Sequence, residues 1–458
     1  MLSSTPIAAH ESPATPSQPS VRGVFARLWP ESGSVNSIPS LDGLRAVAVL
    51  LVILFHSWAE MPGIPALVPG FQSHQYAITY GRTGVQLFFV LSGFLLFLPY
   101  ARWIFGLQPR PSARMFYRRR ALRVGPAYWA SLIILVLAGP LTLAALGDAL
   151  VHVFFLSNVS AATAQSINAV YWTMAVEVQF YVALPLIAWA ASRLVRRFGT
   201  RAGMGIAITA MAAISVAADL LDHVHGIQRL PVVGTFLVGQ YSLPFHLVVF
   251  GIGITCGIFY VNVTQLIRLD ARQRERLRLA GNATLVAGIV LLLATAFAPG
   301  GQPHFELELL GLGYGGVLFG TLFGPAMVRR ALASRPMRFI GLISYSVYLW
   351  HSIVIRAIGP LLPAPTHANL VTLVIARFLI GAPLSLAVAY VSFQLTERPF
   401  FQARKRAHEG ASQRVSSAAA PALTTNVTNA ASSTPIAPPP ALGPRAVWTR
   451  AVDLMRTR

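Results

Sequence analysis

Ten predominantly apolar stretches run through the chain, at about 41–58, 84–104, 123–146, 170–191, 203–221, 241–262, 279–298, 307–328, 339–360 and 370–395. Each is close to the ~20 residues that a helix needs to cross a bilayer. In hydrocarbon a spanning segment must pair all its backbone polar groups internally, so such stretches fold as helices. The fold class expected is therefore an all-α polytopic membrane protein with about ten transmembrane helices. Composition points the same way: of 458 residues 55% are hydrophobic and only 11% charged, against about 25% charged in a soluble domain. The mean hydropathy is +0.60. A disordered chain, a coiled coil and an ordinary cytosolic enzyme are excluded.

Loop charges orient the bundle. Residues 105–122, 192–202, 263–278 and 329–338 carry eighteen arginines, while the alternate loops carry only Arg82 and Arg229. Positive charge collects in inside loops, so both termini are expected in the cytoplasm and the protein in the cell's inner (plasma) membrane. The net charge of +21 then reflects this topology and not a nucleic-acid partner. The lone cysteine, Cys256, excludes an internal disulfide and a cysteine-rich metal site, and no metal site is expected. Residues 1–36 and 401–458 are rich in Ser, Pro and Ala. They bury too little apolar surface to offset ordering entropy and read as disordered cytoplasmic tails around a membrane domain at 37–400.

Ionisable groups inside a membrane are costly, so each is a candidate for function. The first stretch carries Arg45 and His56. Their spacing is close to three helical turns, so they share a face roughly 16 Å apart along the axis. Arg45 alone can be explained by snorkelling to headgroups, and His56 by an interhelical hydrogen bond; the pair on one face favours a site. A neutral imidazole can take a proton from a hydroxyl or act as a nucleophile, and the sequence does not separate these roles. Thr173, Glu177 and Tyr181 form one polar stripe on the fourth stretch. Glu177 reads either as an orienter of an imidazole or substrate hydroxyl, or as a protonated group bonded between helices. In the ninth stretch Ser344, Tyr348, His351 and Ser352 recur at helical spacing, lining a cavity or packing. Trp172 and His246 sit near interfaces, where such residues are common. Ser92 and Gly93 in the second stretch let helices approach closely. Arg120 and Arg123 share a face, either as topology signal or as a clamp for phosphates.

The ordered strings SLDGLRAVAVLLVILFH, GVQLFFVLSGFLL, FYRRRALRVGPAYW, YWTMAVEVQFYVALP, ISYSVYLWH and ERPF, spread from about 40 to 400, resemble the membrane-bound acyltransferase 3 family. The resemblance implies ten helices, a cytoplasmic acyl-CoA donor (acetyl-CoA expected) and a hydroxyl acceptor, with no permanently bound cofactor. It implies catalytic roles for His56, Arg45 and Glu177, and donor binding by Arg120, Arg123, Ser92 and Gly93. Tyr181, Tyr348, His351 and Trp172 would line the substrate cavity. Two departures stand out. Gln86 occupies a position where many relatives carry an acid, and the chain ends in a tail where some relatives append a hydrolase-like domain. The expected function is an integral-membrane O-acyltransferase, moving an acyl group from acyl-CoA to a glycan, glycolipid or secondary metabolite. The lipid bilayer is its surrounding partner, and no protein partner is indicated. The rival is a proton-coupled transporter or exporter using His and Glu as a relay, which is weakened by the absence of matching Gly/Pro interruptions in two halves.

Overall fold

The computed structural model describes residues 38–61, 80–222, 236, 239–297, 305–366, 369–400 and 402. The two tails, apart from Gln402, lie outside the described residues. Among those described, ten helices are long and apolar enough to cross a membrane. They are α1 (Pro39–Ala59), α2 (Gly84–Ile104), α3 (Ala113–Ala138), α4 (Tyr171–Phe198), α5 (Thr200–Asp222), α6 (Leu243–Val261), α7 (Ala271–Ala296), α8 (Glu306–Phe323), α9 (Arg335–Ile358) and α10 (Leu370–Thr396). No strand occurs among the described residues. All ten apolar stretches thus fold as expected.

Boundaries differ where charge hides a helix. The third stretch was expected at 123–146, but α3 begins at Ala113, where the Ser112 side chain caps the Met115 amide. Arginine is a good helix former, so the Arg-rich run continues the helix out of the apolar zone. Hydropathy marks where a helix is dehydrated, not where it ends. The same holds for α7, which starts eight residues before its apolar stretch behind a capping box of Asp270 and Gln273. After Pro140 a separate 11-residue helix, Leu143–Val153, carries Leu143, Leu146 and Leu150 on its exposed side. It is too short to span.

α1 and α2 form the centre of the bundle. In α2's span 78% of the most apolar window is buried by protein, against 22% in α5. α1 packs chiefly on α9 and also on α2 and α10, while α2 packs chiefly on α6. The α2–α6 contact depends on glycine. A Cβ on Gly93 would run into the Phe250 carbonyl, and one on Gly253 into the Val90 carbonyl, so the backbones approach as only Gly permits. Between α4 and α5 the chain reverses at a single residue, Gly199, with φ of +80°, a conformation that glycine adopts at no steric cost. α5 thereby returns alongside α4 and also packs on α6.

Candidate active site

Among the described residues, one cavity opens toward each end of α1. The first, of about 220 Å³, lies at the end where α1 begins and is lined from five helices. α1 supplies Arg45, α2 supplies Ser92, α3 supplies Arg120 and Arg123, α4 supplies Thr173, Glu177 and Tyr181, and α9 supplies Ser344, Tyr345 and Tyr348. All three residues of the polar stripe read from α4 therefore line this space. Glu177 Oε1 accepts hydrogen bonds from Ser92 Oγ at 2.8 Å and from Tyr181 Oη at 2.7 Å. These two hydrogen bonds fix the carboxyl in a cavity that Arg45, Arg120 and Arg123 also line. The Arg120 guanidinium lies 5.9 Å from the Tyr181 ring centroid, and its Nε is buried without a hydrogen bond. Three guanidinium groups and one carboxylate in a small, partly dehydrated space make a field that attracts anions.

Arg123 has a second commitment. It is ion-paired with Glu397, whose Oε1 also accepts from Ser346 Oγ at 2.6 Å. Glu397 follows directly on α10 and is buried. Burial pushes its carboxyl above the usual carboxylate range, against the opposing pull of Arg123. The expected two-arginine clamp is thus unequal: Arg123 ties α3 to α9 and α10 as well as lining the cavity. The i, i+3 spacing predicted a shared face but not a partner 274 residues away.

The second cavity, of about 830 Å³, lies toward the other end of α1. His56, Gln86, Trp172, Tyr241 and His246 line it, with Arg82, Glu306, Asp219 and Asp222. Arg82 Nη2 donates to both oxygens of Glu306, at 2.7 and 2.9 Å. The Trp172 ring stacks on His246 with centroids 5.7 Å apart and meets Tyr241 edge-on at 5.2 Å. Gln86 Oε1 is buried without a hydrogen bond. Val85, Thr173 and Tyr348 line both cavities, and Thr173 Oγ1 hydrogen-bonds Tyr348 Oη at 2.7 Å. The two spaces therefore adjoin at these three side chains, a neck between them.

One expectation about His56 is corrected. Its carboxylate partner is Glu60, with Nδ1 3.3 Å from Oε1, not Glu177, which belongs to the other cavity. An i+4 residue on the same helix lies within one turn, whereas Glu177 approaches from α4 below the neck. The imidazole is also not isolated, because the His351 ring packs edge-on at 4.7 Å between centroids. His351 is fully buried and lines neither cavity; Nδ1 contacts the Val347 carbonyl at 3.1 Å and Nε2 has no hydrogen bond. Gly93 lines neither cavity and serves the α2–α6 crossing. Glu60 and Glu397 were missed because each stands just beyond an apolar stretch. The His56/Glu60 spacing was the available signal for the first. For the second cavity, Arg82 was visible as an isolated arginine in an Arg-poor loop, whereas Asp219, Asp222, Tyr241 and Glu306 carry no common spacing.

Residues 38–393 match a family model described as an acyltransferase domain, that of acyltransferase 3. The chain is 25% identical over 393 residues to the peptidoglycan O-acetyltransferase OatA of Listeria monocytogenes, covering 79% of this chain and 55% of that protein. It is 24% identical over 344 residues to the O-acetyltransferase OatA of Staphylococcus aureus, covering 69% of this chain and 50% of that protein. The chain spans about half the length of these curated relatives. No solved structure matches it.

Proposed function

Since the chain belongs to the acyltransferase 3 family, we propose that it is a multi-pass membrane O-acyltransferase whose two cavities take the donor and the acceptor from opposite ends. The donor is an acyl-CoA, with acetyl-CoA the first choice. The acceptor is a hydroxyl of a glycan, glycolipid or secondary metabolite. The observation that carries this reading is the meeting of an arginine-lined cavity with a histidine-bearing one at Val85, Thr173 and Tyr348. The arginine-rich loops support a cytoplasmic position for the arginine end, the side where acyl-CoA is made.

In this reading Arg45, Arg120 and Arg123 attract the CoA phosphates, for which a guanidinium fork is well suited. The extended phosphopantetheine arm then carries the thioester to the neck. Glu177 balances the arginines and holds Ser92 and Tyr181 in place. His56 removes the proton from the acceptor hydroxyl. The oxygen attacks the thioester carbonyl, the C–S bond breaks, and the CoA thiolate leaves and is protonated. The ester product stays in the larger cavity and CoA returns through the smaller one. Trp172 and Tyr241 offer rings on which a cyclic acceptor can rest. Family membership favours this reading over the transporter one.

The test is transfer from radiolabelled acetyl-CoA by the purified protein in detergent, with slow thioester hydrolysis followed when no acceptor is supplied. CoA release above a His56→Ala control supports the reading. Absence of release from acetyl-, propionyl- and malonyl-CoA by folded protein would overturn the donor assignment.

A further inference from the structure

The acyltransferase reading assigns nothing to Glu60, yet the helix packing brings it a dedicated set of partners. It stands directly after α1, one helical turn beyond His56. Ser352 of α9, fully buried, donates to Glu60 Oε1 at 2.5 Å. Arg356, one turn further on α9, donates from Nε to Oε2 at 3.2 Å. Oε1, the oxygen held by Ser352, is the one that faces His56 Nδ1. The His351 ring also packs edge-on against the imidazole. An ion pair with Arg356 alone would count for little, because that side chain is 60% exposed. The buried hydroxyl is the informative partner, since it aims the shared oxygen.

Resting on that reading, we propose that Glu60, aimed by Ser352, is a positioning residue that accepts a hydrogen bond from His56 Nδ1–H and so turns the Nε2 lone pair toward the acceptor. A neutral imidazole has one donor and one acceptor nitrogen, and the partner of one determines the role of the other. With Nδ1–H bound to a carboxylate, Nε2 is the basic nitrogen. The carboxylate also stabilises the imidazolium formed when the acceptor proton arrives. Hydrogen bonds from His56 and Ser352 hold Glu60 at about 2 although burial opposes this, so the acceptor oxygen stays ionised through the working range. Glu60 touches no reacting atom and acts through His56.

The experiment measures steady-state acyl transfer for Glu60→Gln, Glu60→Ala, Ser352→Ala and the Glu60→Ala/Ser352→Ala double variant, each corrected for folded protein in the membrane. The expected result for Glu60→Ala is a fall in kcat of at least about tenfold with KM for acyl-CoA unchanged, a part of the general-base contribution. Glu60→Gln falls less, because its amide oxygen still accepts from Nδ1. Ser352→Ala lowers kcat in the wild type but adds nothing in the Glu60→Ala background, because it acts only through the carboxylate. If Glu60→Ala fails to accumulate, Glu60→Gln and Ser352→Ala carry the test. Wild-type kcat in Glu60→Gln and Glu60→Ala, with His56→Ala inactive, would overturn this proposal and leave the acyltransferase reading standing. Additive effects of Glu60→Ala and Ser352→Ala would also overturn it. An active His56→Ala would instead remove the base assignment beneath it.

Discussion

At the residue scale the bundle keeps Arg45, Arg120 and Arg123 in one cavity and His56 in another, and Val85, Thr173 and Tyr348 line both. His56→Ala is expected to lower transfer at least about 100-fold, the lower end for loss of a general base. Acyl-CoA binding, measured on the same purified protein, should persist, because the arginines line a different cavity. Lost binding would mean that His56 shapes the donor site. Arg120 and Arg123 should behave differently. Arg120→Ala weakens acyl-CoA binding, more at low salt than at high, because phosphate attraction is screened. Arg123→Ala leaves Glu397 buried without its cation, which costs about 3–5 kcal/mol and shows as a lower melting temperature in detergent. Equal effects of the two on binding, with no change in stability, would contradict the division. Glu60 sets a pH signature. Its carboxyl, held at about 2 against an ordinary 4.5, contributes stability that is fully present above 4.5 and is lost as pH falls toward 2. The melting difference between wild type and Glu60→Gln should be constant above that window and shrink within it. A flat difference throughout would argue against the pairing.

At the scale of elements, the periodic polar stripes were legible and their partners were not. Thr173, Glu177 and Tyr181 share a helix face by spacing alone, and all three line one cavity. Arg45 and His56 also share a face, but the face runs past the neck, so the two end in different spaces. A single helix carries no information about where its neighbours pinch. Gly93 was grouped with donor-binding residues, and the fold uses it to bring α2 against α6. Gly93→Val should therefore force the crossing apart, at a cost of about 1–3 kcal/mol for overpacking. Measured by thermal unfolding in detergent, the loss should appear without a specific change in acyl-CoA affinity of the remaining folded protein. Unaltered stability would show that α2 and α6 can separate freely. The Arg-rich beginnings of α3 and α7 escaped a hydropathy reading because arginine favours helix in water as well as at a membrane surface.

At the scale of the whole molecule, the alternation of arginine-rich and arginine-poor loops makes a definite topology prediction. Reporter fusions should place residues 150–165, 225–235 and 300–306 outside and residue 420 inside. An external residue 420 would reverse the assignment of the arginine-lined cavity to the cytoplasm. Ten spans, their order and their distribution of charge follow from the sequence, because dehydrating a backbone demands a local helix of a certain length whatever the neighbours do. The family resemblance was carried by short strings at the same local level, and the match over residues 38–393 bears it out. What surrounds each polar side chain was decided only by tertiary structure. Glu60 with His56 and Ser352, Glu397 with Arg123, and the neck of Val85, Thr173 and Tyr348 all depend on which helices lie side by side. That order is set by close packing of glycines and side chains from stretches up to hundreds of residues apart, where hydropathy is uniform and carries no address.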